Sequence, residues 1–193
     1  MTTAEVTKTE TIRFATGECS LGKILVGATP QGICAISFGK DEHELLRELR
    51  RRFPQALPIA ASSALQTVLA KVIRFIEAPG PELDLPLDLR GTPFERQVWQ
   101  ALREIPPGRT ASYAVIAERI GAAGEAYAVG EACAANPIAV AVPCHRVVRK
   151  NGALAGYRWG IRRKRALLAR EAAGGKGLPL FGATGQDAPV RLP

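Results

Sequence analysis

Residues 78–93, APGPELDLPLDLRGTP, constrain this chain more than any other stretch, because four prolines and two glycines fall within sixteen positions. Proline removes a backbone donor and glycine loosens the chain, so neither a helix interior nor a central strand survives that density. The stretch therefore predicts a boundary between two differently built parts. We expect an N-terminal domain over residues 1–85 with a linker to about 92, a second domain over 93–175, and a mobile tail over 176–193.

The first part reads as strands broken by glycine. TIRFATGECSLGKILVGATPQGICAISFG, residues 11–39, mixes short β-prone runs with turn residues, which predicts a small antiparallel sheet. DEHELLRELRRRFP follows, with Leu45, Leu46 and Leu49 on one helical face, acids in the first turn and arginines in the last, where they complement the helix dipole. His43 falls in that acidic first turn and reads as exposed structure. A second helix is expected from about Ser62 to Glu77.

The second part reads as mostly helical. PFERQVWQALREI is amphipathic through Val98, Trp99, Leu102 and Ile105. TASYAVIAERIG starts with Ser112 as N-cap and stops at Gly121, and EAYAVGEACAAN follows after a short turn. Two short helices about a glycine-containing turn, the second with small side chains, suggest a helix-turn-helix. IRRKRALLAREAA forms a last, basic helix. Sheet followed by helices gives an α+β fold class.

Cys144 lies in NPIAVAVPCHRVVRKNG, between an apolar run and a basic one. A thiol flanked by histidine and arginine is biased toward thiolate, the nucleophilic form. Neighbours in sequence do not face each other on a regular element, so a water would have to carry the proton from Cys144 to His145. A histidine base needs an orienting acid, and Glu171 is the only acid near this segment.

Charge points to the partner. Residues 1–90 hold 11 basic and 11 acidic side chains, whereas residues 91–193 hold 15 and 7, so the whole net charge of +8 lies in the second part. Nine basic residues and no acidic one fall between Cys144 and Arg170, which reads as a nucleic-acid footprint surrounding the thiol. The four cysteines form no CxxC pair and there are only two histidines, so neither a disulfide framework nor structural zinc is expected. No run approaches the roughly 20 apolar residues of a membrane span, and the opening residues do not resemble a signal peptide; we expect a cytosolic protein.

PCHRVV, preceded by NP and followed by GYRWG, resembles the active-site segment of the O6-alkylguanine-DNA alkyltransferases, the methylated-DNA–protein-cysteine methyltransferases. The similarity runs from about residue 12 to 172, and ACAAN with GYRWG is particularly similar to the C-terminal half of the bacterial Ada proteins. The resemblance implies a ribonuclease H-like N-terminal domain and a winged-helix-like C-terminal domain carrying the helix-turn-helix. It also implies irreversible, single-turnover transfer of an alkyl group from O6-alkylguanine, and from O4-alkylthymine, to the cysteine. The implied partner is double-stranded DNA held through its minor groove by a monomer, with no cofactor, no metal and no membrane.

Residue by residue, the resemblance makes Cys144 the acceptor, His145 the water-linked base and Glu171 its orienting acid. Asn136 becomes the hinge before the active-site segment, and Tyr113 the phenol that helps guanine leave. The substrate- or DNA-facing set is Tyr127, Arg146, Val147, Tyr157, Arg158, Ala126, Gly130 and Ser112. By the same resemblance the carbonyls of Cys144 and Val147 and the amide of Arg158 read the guanine edge, and Ala126, Ala128, Val129 and Gly130 are short enough for close approach to DNA. Tyr127 departs from the family, which usually places arginine there to fill the gap left by the flipped base. The cysteine-rich zinc domain that precedes this half in Ada is not in the sequence, so phosphotriester repair and transcriptional switching are not implied. A lesion-binding protein without chemistry would lack the PCHR cysteine, and a simple regulator would have no use for a His–Glu relay.

Overall fold

The computed structural model describes residues 10–61, 63–80 and 83–174. The predicted tail, residues 176–193, lies outside them. Strands β1 (Glu10–Cys19), β2 (Gly22–Thr29) and β3 (Gly32–Gly39) form an antiparallel meander, and β4 (Ala56–Ala60) adds to β1 in parallel, giving the order β3-β2-β1-β4. The sequence reading missed β4. Its residues, ALPIA, contain a proline that cannot donate to a ladder, and the strand accordingly occupies an edge.

Helix α1 (Glu42–Arg52) begins at Asp41, whose side chain accepts from the Glu44 amide, and buries Leu45 and Leu49 against one face of the sheet with Ile12, Leu25 and Cys34. Helix α2 (Ser63–Glu77) covers the other face through Leu65, Leu69, Val72 and Ile76. The helix packs so closely that a Cβ on Gly17 of β1 would lie 3.0 Å from the Leu69 side chain.

The proline-rich connection is pinned to the sheet. Ile33 donates to the Pro86 carbonyl at 2.8 Å, Asp88 donates back to Ile33 at 2.9 Å, and Arg90 bonds both Asp88 and Glu10. Gly32 permits this docking: its φ is +147°, and a Cβ there would lie 2.5 Å from the Pro86 oxygen.

Helix α3 (Pro93–Arg103) starts with a capping box between Thr92 and Glu95 and buries Val98, Trp99 and Leu102. Helices α4 (Tyr113–Arg119) and α5 (Ala126–Ala135) flank a turn through Gly121 and Gly124, and Trp99 donates to the Ala132 carbonyl at 2.8 Å, fixing α5 on α3. A 3₁₀ turn spans Cys144–Arg146, and α6 (Ile161–Gly174) ends the described chain. Two short strands, β5 (Ala111–Ser112) and β6 (Val147–Val148), pair in parallel and join the segment after Cys144 to the start of α4. Runs of two residues carry no periodic signal, so these strands were not legible in the sequence.

The edge of β3 reaches into the second part of the chain. Ile36 donates to the Pro137 carbonyl at 3.0 Å and accepts from the Ala139 amide at 2.8 Å, so the sheet grips the segment leading into Cys144. Along that segment Val140 holds φ = 60°, a conformation that costs a β-branched residue about 1–3 kcal/mol and persists only where its surroundings fix it. Among the described residues, no helix is long and apolar enough to cross a membrane.

Candidate active site

Asn136 caps the C-terminal end of α5 and is wholly buried. Its Oδ1 accepts from the Ile138 amide at 2.9 Å, while its Nδ2 donates to the Val142 carbonyl at 2.8 Å and to Cys144 Sγ at 3.2 Å. One amide thus closes the turn and presents a donor to sulfur. Cys144 lies at the wall of a cavity of about 380 Å³ shared by Tyr113, Gly130, Cys133, Gly156, Tyr157 and Arg158.

On the far side of the 3₁₀ turn, His145 is fully buried and its Nε2 is 2.8 Å from Glu171 Oε1. Glu171 accepts from three directions: His145, the Arg146 guanidinium at 2.8–3.1 Å and the Gly108 amide at 3.3 Å. Burial works against the carboxylate, but His145 and Arg146 overcome it and hold the pKa down to about 2. A carboxylate at that oxygen requires His145 to carry its proton on Nε2, which leaves Nδ1 as the acceptor. Nδ1 is buried without a hydrogen-bond partner among the described residues, and burial lowers the histidine pKa, so the ring rests neutral and ready to take a proton.

The thiol differs from the sequence expectation. Burial pushes Cys144 up to about 11, and the Asn136 hydrogen bond with the charges of Lys164 and Arg158 only moderates that rise. Cys144 therefore rests as a thiol, because a flanking cation in sequence is of little use when its side chain points elsewhere. Arg146 is the example: its Nη1 donates to the Ile105 carbonyl at 2.5 Å and the rest of the group binds Glu171, so it is buried and faces neither the thiol nor an external partner.

Other expectations also change. Ser112 caps α4 by accepting from the Val115 amide and is buried, and Val129 is fully buried in the core, so neither faces outward. Ala126, Ala128 and Gly130 are half-buried, and Tyr127 projects from α5 with 82% of its surface exposed. Tyr113 opens α4 beside the cavity, and burial raises its phenol to about 12. Tyr157 is half-buried with its hydroxyl enclosed, and its ring lies edge-on to His145 and Trp159. The Arg158 side chain crosses to α1, pairing with Glu48 while also donating to the Ala134 carbonyl. The Val147 carbonyl accepts from Lys164 Nζ at 2.6 Å.

The basic block divides. Arg146 and Lys164 are buried, and Arg158, Arg163 and Arg170 bind internal carbonyls or acids, which leaves Arg149, Lys150, Arg162 and Arg165 exposed. Lys164 was missed by the sequence reading, which took it for part of a basic face. A signal was available: positions 164, 167, 168 and 171 share one face of α6, and all four are buried. Among the described residues, no group of three or more histidine, cysteine, aspartate or glutamate side chains is placed to share a metal ion.

Two family profiles cover nearly all of the described chain. The 6-O-methylguanine DNA methyltransferase DNA binding domain matches residues 93–173, and the ribonuclease-like domain of the same methyltransferase matches residues 12–89. The chain belongs to the 6-O-methylguanine DNA methyltransferase family. Over 161 residues it is 48% identical to the bifunctional transcriptional activator/DNA repair enzyme Ada of Escherichia coli K12, an alignment covering 83% of this chain and 46% of Ada. It thus spans about half the length of that relative. To the inducible methylated-DNA–protein-cysteine methyltransferase of Bacillus subtilis 168 it is 38% identical over 147 residues, 76% of this chain and 82% of the other. Among solved structures it superposes on Mycobacterium tuberculosis OGT in complex with DNA with a TM-score of 0.70 and 35% identity, covering 84% of this chain and 94% of that one. The α+β arrangement, a sheet part followed by a helical part, is the fold of this methyltransferase family.

Proposed function

We propose that the protein repairs DNA by moving the alkyl group of O6-alkylguanine onto Cys144, once per molecule, in the cytosol. The observation that carries this reading is the buried His145–Glu171 pair at 2.8 Å beside a thiol that Asn136 already addresses at 3.2 Å. Such a pair is superfluous for binding alone and suited to removing a proton.

A guanine stacked in a duplex cannot reach a recessed thiol, so the nucleotide must swing into the cavity between α5 and residues 156–158. His145 Nδ1 receives the thiol proton through a water. Sulfur forms a bond to the alkyl carbon, the carbon–oxygen bond breaks, and its electron pair goes to guanine, which takes up one proton. The balance is a thiol and an O6-alkylguanine going to a thioether and guanine. Tyr113, whose raised pKa keeps its proton in place, donates a hydrogen bond to the departing base. A thioether has no activated carbonyl for water to attack, so the thiol is not regenerated. The same displacement extends to O4-alkylthymine, whose alkyl group also sits on an exocyclic oxygen.

The exposed Tyr127 on α5 serves as an uncharged wedge in the gap left by the flipped base, and the half-buried Ala126 and Gly130 permit close approach to the groove. Incubation with duplex DNA containing O6-methylguanine, followed by intact-protein and peptide mass spectrometry, tests the reading. One added methyl on Cys144 is expected; unmodified protein, or a methyl on another residue, would overturn it.

A further inference from the structure

Helix α6 carries Glu171, and two of its arginines reach back to the first strands of the chain. Arg163 and Arg170 are seven residues apart, so they share one face of the helix and stand about 10 Å apart along its axis. The Arg163 guanidinium donates to three carbonyls, those of Leu21 at 2.8 Å, Trp159 at 2.8 Å and Gly39 at 3.3 Å. Arg170 donates to the Ile76 carbonyl at 2.8 Å and to Ser20 Oγ at 2.6 Å, and Glu77 accepts from the amide and the hydroxyl of the same serine, each at 2.7 Å. The turn between β1 and β2 is thus held at two adjoining residues, Ser20 and Leu21, by arginines two helical turns apart. Gly22 leaves room for the first of them, since a Cβ there would lie 3.0 Å from Arg163 Nη2. Neither arginine lines the cavity at Cys144.

The buried face of α6, with Leu167, Leu168 and Glu171, lies about a quarter-turn round the helix from these arginines. One contact on a helix leaves a pivot, whereas two at different heights on one face fix both its tilt and its rotation. The tip of a side chain roughly 5–6 Å from the axis moves by about 1 Å when the helix turns by about 10°. Glu171 meets His145 at 2.8 Å, so a shift of that size carries the pair out of hydrogen-bond reach. The Arg163 guanidinium also sits over the Phe38 ring, 5.6 Å from its centre. Phe38 lies edge-on to Trp159, Trp159 to Tyr157 and Tyr157 to His145, so the same grip bears on the imidazole from its other side.

We propose that Arg163 and Arg170 are positioning residues for the transfer: by gripping the β1–β2 turn at two points they set the rotation of α6 and hold Glu171 against His145. The N-terminal sheet thereby takes part in the chemistry without touching the thiol or the alkyl group. A displacement of about 1 Å at a reacting group can cost about 10²-fold in rate, which is the scale of effect expected when the grip is lost.

The inference rests on His145 taking the proton of Cys144, and it is tested with and without DNA. In Arg163→Gln combined with Arg170→Gln, methyl transfer from saturating duplex DNA should slow by about 10²-fold. In a His145→Ala background the same pair of substitutions should slow it no further, because the relay they position is already gone. Equal slowing in both backgrounds, or none in either, would overturn the proposal. The second arm reads the relay in the free protein. The chain has only two histidines, and His43 is exposed on α1, so nitrogen-15 spectra of labelled histidine show His145 beside an internal reference. In the unsubstituted protein Glu171 holds the His145 proton on Nε2; in the double variant the ring should become a mixture of its two tautomers while His43 is unchanged. A ring that stays in the single tautomer would contradict the assignment. If the double variant does not fold, Ser20→Ala removes only the hydroxyl shared by Arg170 and Glu77, and the tautomer mixture should appear to a smaller extent, its absence again being contradictory. A protein that took no methyl from DNA could still show the tautomer change, so failure of the repair reading and failure of this one are separable.

Discussion

Cys144 has two unlike sides. Toward α6, every polar group of the His145–Glu171–Arg146 cluster except His145 Nδ1 is bonded inside the protein, at distances of 2.5–3.1 Å. Toward α5, the outward residues Tyr127, Glu131 and Ala134 are exposed. A buried charge network admits almost no substitution, because losing one partner strands the other. An exposed helix face can exchange residues with little effect on folding. The comparison explains how position 127 can carry tyrosine where the family resemblance leads us to expect arginine. It also predicts that inner substitutions change rate and stability together, whereas outer ones change only the response to DNA.

The largest effect is expected at the shared point. Cys144→Ser should lose all methyl transfer from duplex DNA yet retain binding to the lesion in a gel or anisotropy titration; transfer that persisted would place the acceptor elsewhere. Next comes Glu171→Gln. It leaves Arg146 buried without its anion and should cost about 3–5 kcal/mol in a denaturant titration, an effect that no exposed site on α5 should match.

The same residue predicts a pH dependence. Glu171 has a folded pKa near 2, below its unfolded value, so its contribution is present above about 4.5 and is lost as the pH falls toward 2. The neutral, buried His145 adds a loss of the same sign, beginning as the pH falls below about 6.5, because its folded pKa is also lowered. Melting temperatures of the unsubstituted protein should fall through both ranges, whereas Glu171→Gln should lack the lower step.

His145→Ala should slow transfer by about 10²- to 10⁴-fold while DNA affinity is retained. A variant transferring at the unsubstituted rate between about pH 6 and 9 would make the relay unnecessary. The smallest effect is expected at Tyr127. An aromatic wedge stacks for about 1–3 kcal/mol but forms no charged hydrogen bond to the orphaned base. Tyr127→Arg should speed repair of duplex DNA and leave the reaction with free O6-methylguanine unchanged. If the arginine reaches phosphate, the salt dependence of binding should steepen by about one unit. Equal changes on both substrates would remove the distinction between the two sides.

Much of this was legible because it is local. The strands over residues 11–39, α1 with its acidic start and basic end, and the paired helices α4 and α5 follow from spacing and residue type, whereas the pairing of His145 with Glu171, 26 residues apart, was expected from residue type and the family resemblance. What was not legible depends on distant contacts. Strand β4 forms because β1 offers an edge, and the proline-rich connection is held by Ile33 and Gly32, far away in sequence. The thiol pKa was misread for the same reason: Arg146 lies two residues from Cys144 in sequence, but its guanidinium turns to Glu171, while the cations that act on sulfur, Lys164 and Arg158, come from farther along the chain. Charge in a sequence says where cations are spent only after the packing is known.

The central claim is that Cys144 rests as a protected thiol and loses its proton only as the alkyl group arrives. Its ionisation in the resting protein tests this directly, measured as the pH dependence of iodoacetamide labelling at the Cys144 peptide. The account predicts a midpoint far above neutrality, toward the value near 11 that burial imposes, with duplex transfer still rapid at neutral pH. A midpoint at or below that of an ordinary cysteine, about 8.5, would mean that a standing thiolate does the work and would contradict the account.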